Sequence, residues 1–255
     1  MNRASTILLT GSAGRIGRAV LCELNNRGHA VRCFDRVATP GHPDAIVADL
    51  TDAAALKRAA EGAGTIVHLA ATPDDADFLS DLVPNNVIGV YNVFEAARLA
   101  GVRRLVLASS GQVVWGSRTT GPWPVPVDVQ LTPRYWYAAL KVFVEAAGRA
   151  FADAHGMSVI VARLGWCPRT REHAEELQGI DWGPDVYLSP GDAGRFFALA
   201  VEAPESIRYS ILYVTSRPAT LERYELKPAR EQLGYVPRDR WPEGAEGLVT
   251  PGTKE

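Results

Sequence analysis

The chain has 255 residues, 47% of them hydrophobic, with a formal net charge of −2 and a pI near 6.2. That length can bury a sizeable core, as one large α/β domain or one and a half ordinary ones. The charge balance gives no reason to expect nucleic acid or an anionic membrane as a partner, and no apolar run approaches the ~20 residues of a membrane span.

The opening residues Met1-Asn2-Arg3-Ala4-Ser5-Thr6 lack the long apolar core of a signal peptide. Thr6-Ile7-Leu8-Leu9-Thr10 then reads as a strand that leads straight into Gly11-Ser12-Ala13-Gly14-Arg15-Ile16-Gly17. An amphipathic helix follows through Val20, Leu21 and Leu24 and stops near Gly28. A second strand, 30–34, closes on Asp35. Strand, glycine-rich turn, helix, strand, acid is the context in which a dinucleotide loop is expected. The glycines permit a tight turn and close approach to a pyrophosphate, and the helix amino terminus offers unpaired N–H groups. Asp35 stands where a carboxylate accepts from ribose hydroxyls and repels a 2′-phosphate, which favours NAD over NADP. Arg36 beside it offers a partner for such a phosphate.

Further elements alternate. The pattern predicts strands at 46–48, 65–69, 104–108, 157–163 and 210–214, and helices at 52–60, 86–99, 137–154, 190–201 and 222–233. A proline-rich loop lies between the fifth strand and the 137–154 helix, and a charged loop runs from Arg169 to Glu176. Alternation of this kind predicts a doubly wound parallel sheet with helices on both faces. Ligands on such sheets bind beyond the carboxyl ends of the strands, where Gly11, Asp35, Asp49, Ala70, Ser109, Ser110 and Gly165 all fall.

Tyr137 and Lys141 stand four residues apart on a predicted helix, one turn from each other on one face. An ammonium beside a phenol favours the phenolate and draws its pKa down from about 10. The pair is a candidate general base with its tuning cation. The cysteines, Cys22, Cys33 and Cys167, are scattered and show no metal-ligand spacing with the five histidines, so no metal is expected. Cys22 and Cys33 read as buried thiols, and a reducing, cytoplasmic setting fits.

Taken together, these residues resemble the short-chain dehydrogenase/reductase superfamily, in its extended, epimerase-like branch. Thr10-Gly11-Ser12-Ala13-Gly14-Arg15-Ile16-Gly17, Asp49-Leu50, His68-Leu69-Ala70-Ala71, Asn86-Val87-Ile88-Gly89 and the Tyr137/Lys141 pair match its motifs in order. The resemblance implies an α/β fold: a Rossmann-type doubly wound parallel sheet with a small C-terminal substrate-binding extension. Residues 1–168 would form the cofactor-binding part with the active-site helix. Residues 169–255 would add a small substrate-binding region, interleaved with the last strand and helix in one compact unit. NAD is the cofactor it implies. Gly11, Ala13, Gly14, Arg15, Ile16 and Gly17 would hold the pyrophosphate, Asp35 and Arg36 the adenosine ribose, and Asp49 and Leu50 the adenine. Leu69, Ala70, Ala71 and Ala108 would line the path to the nicotinamide, and Pro168 would lie near its carboxamide. Asn86 would contact the cofactor or orient the active-site helix. Tyr137 would be the acid/base, Lys141 the ribose ligand, and Ser110 the catalytic hydroxyl, with Ser109 structural.

Epimerases of the branch are usually longer, so this compact chain points to a small substrate. It is most similar to the NAD-dependent uronate dehydrogenases, which oxidise the anomeric carbon of a hexuronic acid to a lactone. Gly111-Gln112 stand where that group has Asn-His, and Trp166 replaces a small polar residue and offers a face to a sugar ring. Arg169 or Arg171 would take over the carboxylate. The implied substrate is a sugar or an anionic sugar, uronic or sulfonated. An epimerase or dehydratase that retains NAD is the alternative, and a nucleotide-sensing protein with a vestigial site a third reading. The resemblance also implies a homodimer or higher homo-oligomer, with Val90, Phe94, Phe143 and Phe151 on the helices that would pair.

Overall fold

The computed structural model describes residues 6–248. The sequence ends read above, 1–5 and 249–255, lie outside the described residues. Seven strands form the sheet: β1 (Thr6–Thr10), β2 (Val31–Asp35), β3 (Ile46–Val47), β4 (Ala63–His68), β5 (Arg104–Ser110), β6 (Ser158–Leu164) and β7 (Tyr209–Val214). All pair in parallel, in the order β3-β2-β1-β4-β5-β6-β7. The order reverses between β1 and β4, and that switch point opens a crevice at the strands' carboxyl ends.

Strands β4 and β5 are buried along their whole length, as a sheet covered on both faces requires. Side chains along β1 alternate between the two layers. Ile7 and Leu9 pack with Val20, Leu21 and Leu24 of α1 (Arg15–Asn26) and with Phe196 and Phe197 of α7 (Pro190–Glu202). Leu8 packs on the other face with Leu56 of α2 (Ala53–Ala60), Val90 and Phe94 of α3 (Gly89–Leu99), and Val144 of α5 (Trp136–His155). The caps follow local chemistry. The Asp52 side chain accepts from the Ala55 N–H to start α2, and Gly156, at φ 67°, ends α5 in the left-handed conformation that glycine adopts without strain.

Several expectations are corrected. The helix expected over 86–99 begins as a π-helical stretch, Phe78–Ile88, which becomes α3 at Gly89. Pro84 lies inside the stretch and has no N–H for a regular turn. The proline-rich loop contains a 3-10 turn, Gly111–Val114, and a short helix, α4 (Trp115–Thr120). The charged loop at Arg169–Glu176 is largely a helix, α6 (Arg171–Gly179), capped by Thr170. Only Ala174 and Leu177 of α6 are buried, too few to mark a periodic face. The last helix, α8 (Lys227–Leu233), starts later than 222 because Pro228 stands in its first turn. Cys33 is buried as expected, but Cys22 is exposed, off the face that buries Leu21 and Leu24. Val90 and Phe94 point into the core; Phe143 is exposed, and Phe151 packs against Phe94 with the rings tilted at 58° and their centroids 4.6 Å apart.

One buried ion pair locks α5 to the sheet. Both Glu145 of α5 and Arg163 of β6 are buried. Arg163 donates to the carboxylate through Nε (2.9 Å) and Nη2 (2.8 Å), and through Nη1 to the Val127 carbonyl (2.8 Å). Burial opposes the guanidinium charge, but the hydrogen bonds and charge of Glu145 outweigh it and raise the Arg163 pKa. Removing one partner of such a pair strands the other. Glu145→Ala should therefore lower the unfolding free energy in urea by ~3–5 kcal/mol. The double variant Glu145→Ala/Arg163→Met should lose less than the single one, and an equal or greater loss would contradict this account.

Candidate active site

The crevice at the switch point is a cleft of about 590 Å³. Its floor is the glycine turn. Gly11 has φ +77°, and a Cβ there would stand 2.7 Å from the Ala70 nitrogen. A Cβ on Gly17 would stand 1.9 Å from the Gly11 carbonyl oxygen, so α1 can meet the turn this closely only without one. The first turn of α1 carries no side-chain cap and no acidic residue. Its positive end is therefore left for an anion. Arg15 lines the cleft beside it, and its Nε is buried with no hydrogen-bond partner. These features fit a dinucleotide pyrophosphate.

Of the residues expected at the cofactor, Gly11, Gly14, Arg15, Ile16, Gly17, Leu69, Ala71 and Ala108 line this cleft. Asp35 sits at the end of β2, outside the lining, and braces the loop: its carboxylate accepts from the N–H of Ala13 (2.9 Å) and of Val37 (3.2 Å). A carboxylate retains further acceptor positions for ribose hydroxyls. Arg36 is exposed next to it. Asp49 is exposed and bonded to the Thr51 N–H and hydroxyl, which hold its carboxyl below the usual range. Leu50 is buried against Gly89, and Ala70 packs against Gly11. Asn86 is buried, and its amide spans Thr72: Oδ1 accepts from the Thr72 N–H (2.8 Å) and Nδ2 donates to its carbonyl (2.9 Å). It thus shapes the loop after β4 and does not line the cleft. Pro168 is buried behind the lining.

The residues expected to react, Ser110, Tyr137 and Lys141, come from β5 and α5. The Ser109 hydroxyl turns inward and donates to Glu145 (2.6 Å). Ser110 ends β5, accepts from the Gln112 N–H (3.1 Å) and faces the cleft. Its hydroxyl is within hydrogen-bonding reach of the half-buried Tyr137 phenol. Asp75 accepts from the Tyr137 backbone N–H (3.0 Å), which fixes the start of α5. One turn on, Lys141 is buried; its Nζ lies 5.5 Å from the Tyr137 ring centroid and donates to the Ala108 carbonyl (2.9 Å).

Electrostatics here differ from the expectation. Burial and then the charge of Asp74 push the Tyr137 phenol well above its ordinary pKa, against smaller opposing effects of Arg169 and the Ser110 hydrogen bond. Lys141 spends its charge on a carbonyl, and burial draws its own pKa down to about 8. His68, behind the site, is held neutral: burial and the charge of Lys141 bring it to about 3. Burial pushes the Cys167 thiol in the lining up to about 11, so it stays protonated.

The residues proposed for substrate divide. Gln112, Trp166 and Arg169 line the cleft. Gly111 lies under Tyr224, whose hydroxyl donates to its carbonyl (3.3 Å). Arg171 is exposed at the start of α6, outside the lining. Arg169 already has an acid: its Nη2 donates to Asp74, which also accepts from Gln112 (3.4 Å). Asp74 was missed from sequence, although Pro73-Asp74-Asp75 directly after β4 is a turn signal and Asp74 takes φ 58°. Arg118 and Tyr224, also in the lining, gave no sequence signal.

The family model for the NAD dependent epimerase/dehydratase family matches residues 7–166. The chain belongs to this family. NAD is its cofactor. It is similar to the L-arabinose 1-dehydrogenase (NAD(P)(+)) of Haloferax volcanii, at 34% identity over 91% of this chain and 96% of that one. The NAD-dependent glucose-6-phosphate dehydrogenase of the same organism is 31% identical over 91% of this chain and 93% of its own. Among solved structures, the glucuronic acid dehydrogenase of Chromohalobacter salexigens superposes with a TM-score of 0.79 at 27% identity, covering 96% and 88% of the two chains.

Asp74 holds the Tyr137 pKa up, so its removal should release it. Asp74→Asn should move the rising limb of the kcat/KM pH profile to lower pH, by up to about one unit. An unmoved limb, or one moved upward, would contradict the assignment.

Proposed function

We propose that the protein oxidises the anomeric hydroxyl of a small sugar or sugar acid to a lactone, with Tyr137 as general base. The observation that carries this reading is the convergence of Ser110, Tyr137 and Lys141 on the cleft floored by the glycine turn. An NAD-dependent dehydrogenase is what its family and its relatives over nearly the whole chain make it. Those relatives act on a pentose and on a hexose phosphate, and the structural neighbour on a uronic acid.

On this reading, the residues of the glycine turn and Arg15 hold the pyrophosphate, and Lys141 the nicotinamide ribose. NAD, when bound, supplies the hydride acceptor. Ser110 and Tyr137 hydrogen-bond the reactive hydroxyl and set its orientation. Tyr137 withdraws the proton, and Ser110 stabilises the oxygen as charge develops on it. The raised phenol pKa disfavours the phenolate at neutral pH, so proton removal gains with rising pH. Trp166 offers a flat apolar face to the sugar ring. The free thiols suit the cytoplasm. The exposed Tyr91, Leu99 and Phe143 on α3 and α5 support a dimer through these helices.

Purified protein should form NADH from NAD with at least one aldose or uronic acid. Tyr137→Phe should cut kcat by roughly 10²–10⁴-fold. The kcat/KM profile of the wild type should still be rising above pH 8. Full activity in Tyr137→Phe, or a plateau below pH 7, would remove Tyr137 from the role of base.

A further inference from the structure

Arg118 is a buried cation without an acid. Its side chain is 5% exposed, on the short helix α4. Its guanidinium carbon lies 4.1 Å from the ring centroid of Trp115 and 4.4 Å from that of Trp182, which comes from the far side of α6. Nε is buried with no hydrogen-bond partner. The Tyr224 hydroxyl is within hydrogen-bonding reach, and its own proton is directed to the Gly111 carbonyl (3.3 Å). No ion pair among the described residues includes Arg118. Asp74 pairs with Arg169 and Asp185 with Arg223 (3.4 Å); Asp75 and Glu176 also line the cleft, and no ion pair joins either to Arg118.

A charge taken from water without a counter-ion is costly. Two indole faces offset part of that cost through cation–π attraction. Its backbone is held as well, since the Arg118 carbonyl accepts from Trp123 Nε1 (3.0 Å) and from Arg223 Nη1 (3.3 Å). Arg118 lines the same cleft as Ser110 and Tyr137. A buried guanidinium with no carboxylate partner and an unsatisfied Nε is a group suited to take a carboxylate or phosphoryl group through two parallel hydrogen bonds.

We propose that Arg118 recognises an anionic group on the substrate, a carboxylate or a phosphoryl, at a position of the sugar other than the carbon oxidised. This deepens the sugar-dehydrogenase reading and rests on it. It assigns the anion to Arg118 in place of Arg169, whose charge Asp74 already meets, and it makes the preferred substrate a sugar acid or a sugar phosphate.

The test compares a hexuronate, a hexose 6-phosphate and the parent neutral hexose, with the wild type and with Arg118→Met and Arg118→Lys. The wild type should prefer one anionic sugar over the neutral hexose by about 100-fold in kcat/KM, the scale of a charge-assisted bidentate pair. The better anion tells carboxylate from phosphoryl. In Arg118→Met this preference should collapse through KM, and Arg118→Lys should restore part of it. NAD affinity, measured by fluorescence titration, should stay within about threefold, which a general loss of structure would not allow. Preference for the neutral hexose, or a preference that survives in Arg118→Met, would overturn the proposal. Where Arg118→Met does not fold, calorimetric binding of the two anionic sugars and the hexose to the wild type decides, and equal affinities overturn it. Absence of NADH with every sugar would count against the dehydrogenase reading; the same calorimetry with wild type and Arg118→Lys would then still judge the anion site.

Discussion

The site depends on the buried contact between Glu145 and Arg163. Helix α5 carries both Tyr137 and Lys141, and Glu145 lies one further turn along it. The Glu145 carboxylate gathers the Ser109 hydroxyl from β5 and the Arg163 guanidinium from β6, while the Glu145 carbonyl accepts from the Tyr209 hydroxyl of β7 (2.9 Å). Arg163 reaches on to the Val127 carbonyl and the Tyr213 hydroxyl (3.1 Å). One carboxylate thus ties the helix that carries Tyr137 and Lys141 to the end of β5 and to β6. Because Ser109, Glu145, Arg163 and Tyr213 are all buried, the network is satisfied as a whole or costly as a whole.

Charge in the cleft is arranged around the phenol rather than around the lysine. Asp74 and Arg169 form one pair across the opening, with opposite effects on Tyr137. Lys141 is tied to the Ala108 carbonyl, and burial draws its pKa down to about 8, where it still carries its charge at neutral pH. A phenol so placed is protonated at neutral pH, with the Ser110 hydroxyl within hydrogen-bonding reach.

Much of this was legible in the residues. Short apolar runs gave the strands, because a doubly covered parallel sheet buries both faces and leaves nothing to alternate. The glycine turn between Thr10 and α1, and the i, i+4 pair on α5, located the two halves of the cleft. Ser109 and Ser110 both line the cleft, and the hydroxyl of Ser109 is committed to Glu145. What escaped reading depends on tertiary contact. Helix α6 buries two side chains and so shows no period. Asn86 bonds a backbone across fourteen residues, and Trp115, Arg118 and Trp182 assemble from two distant segments. The pKa of Tyr137 could not be read from its spacing to Lys141, because Asp74 and the depth of burial decide it.

The most direct test of net oxidation at the anomeric carbon is product analysis by NMR with a sugar labelled with ¹³C at that carbon. The account predicts that the label appears first as a lactone carbonyl, with one equivalent of NADH for each sugar consumed. A label that stays at the aldehyde level in an epimerised or dehydrated sugar, with no NADH released, would contradict it.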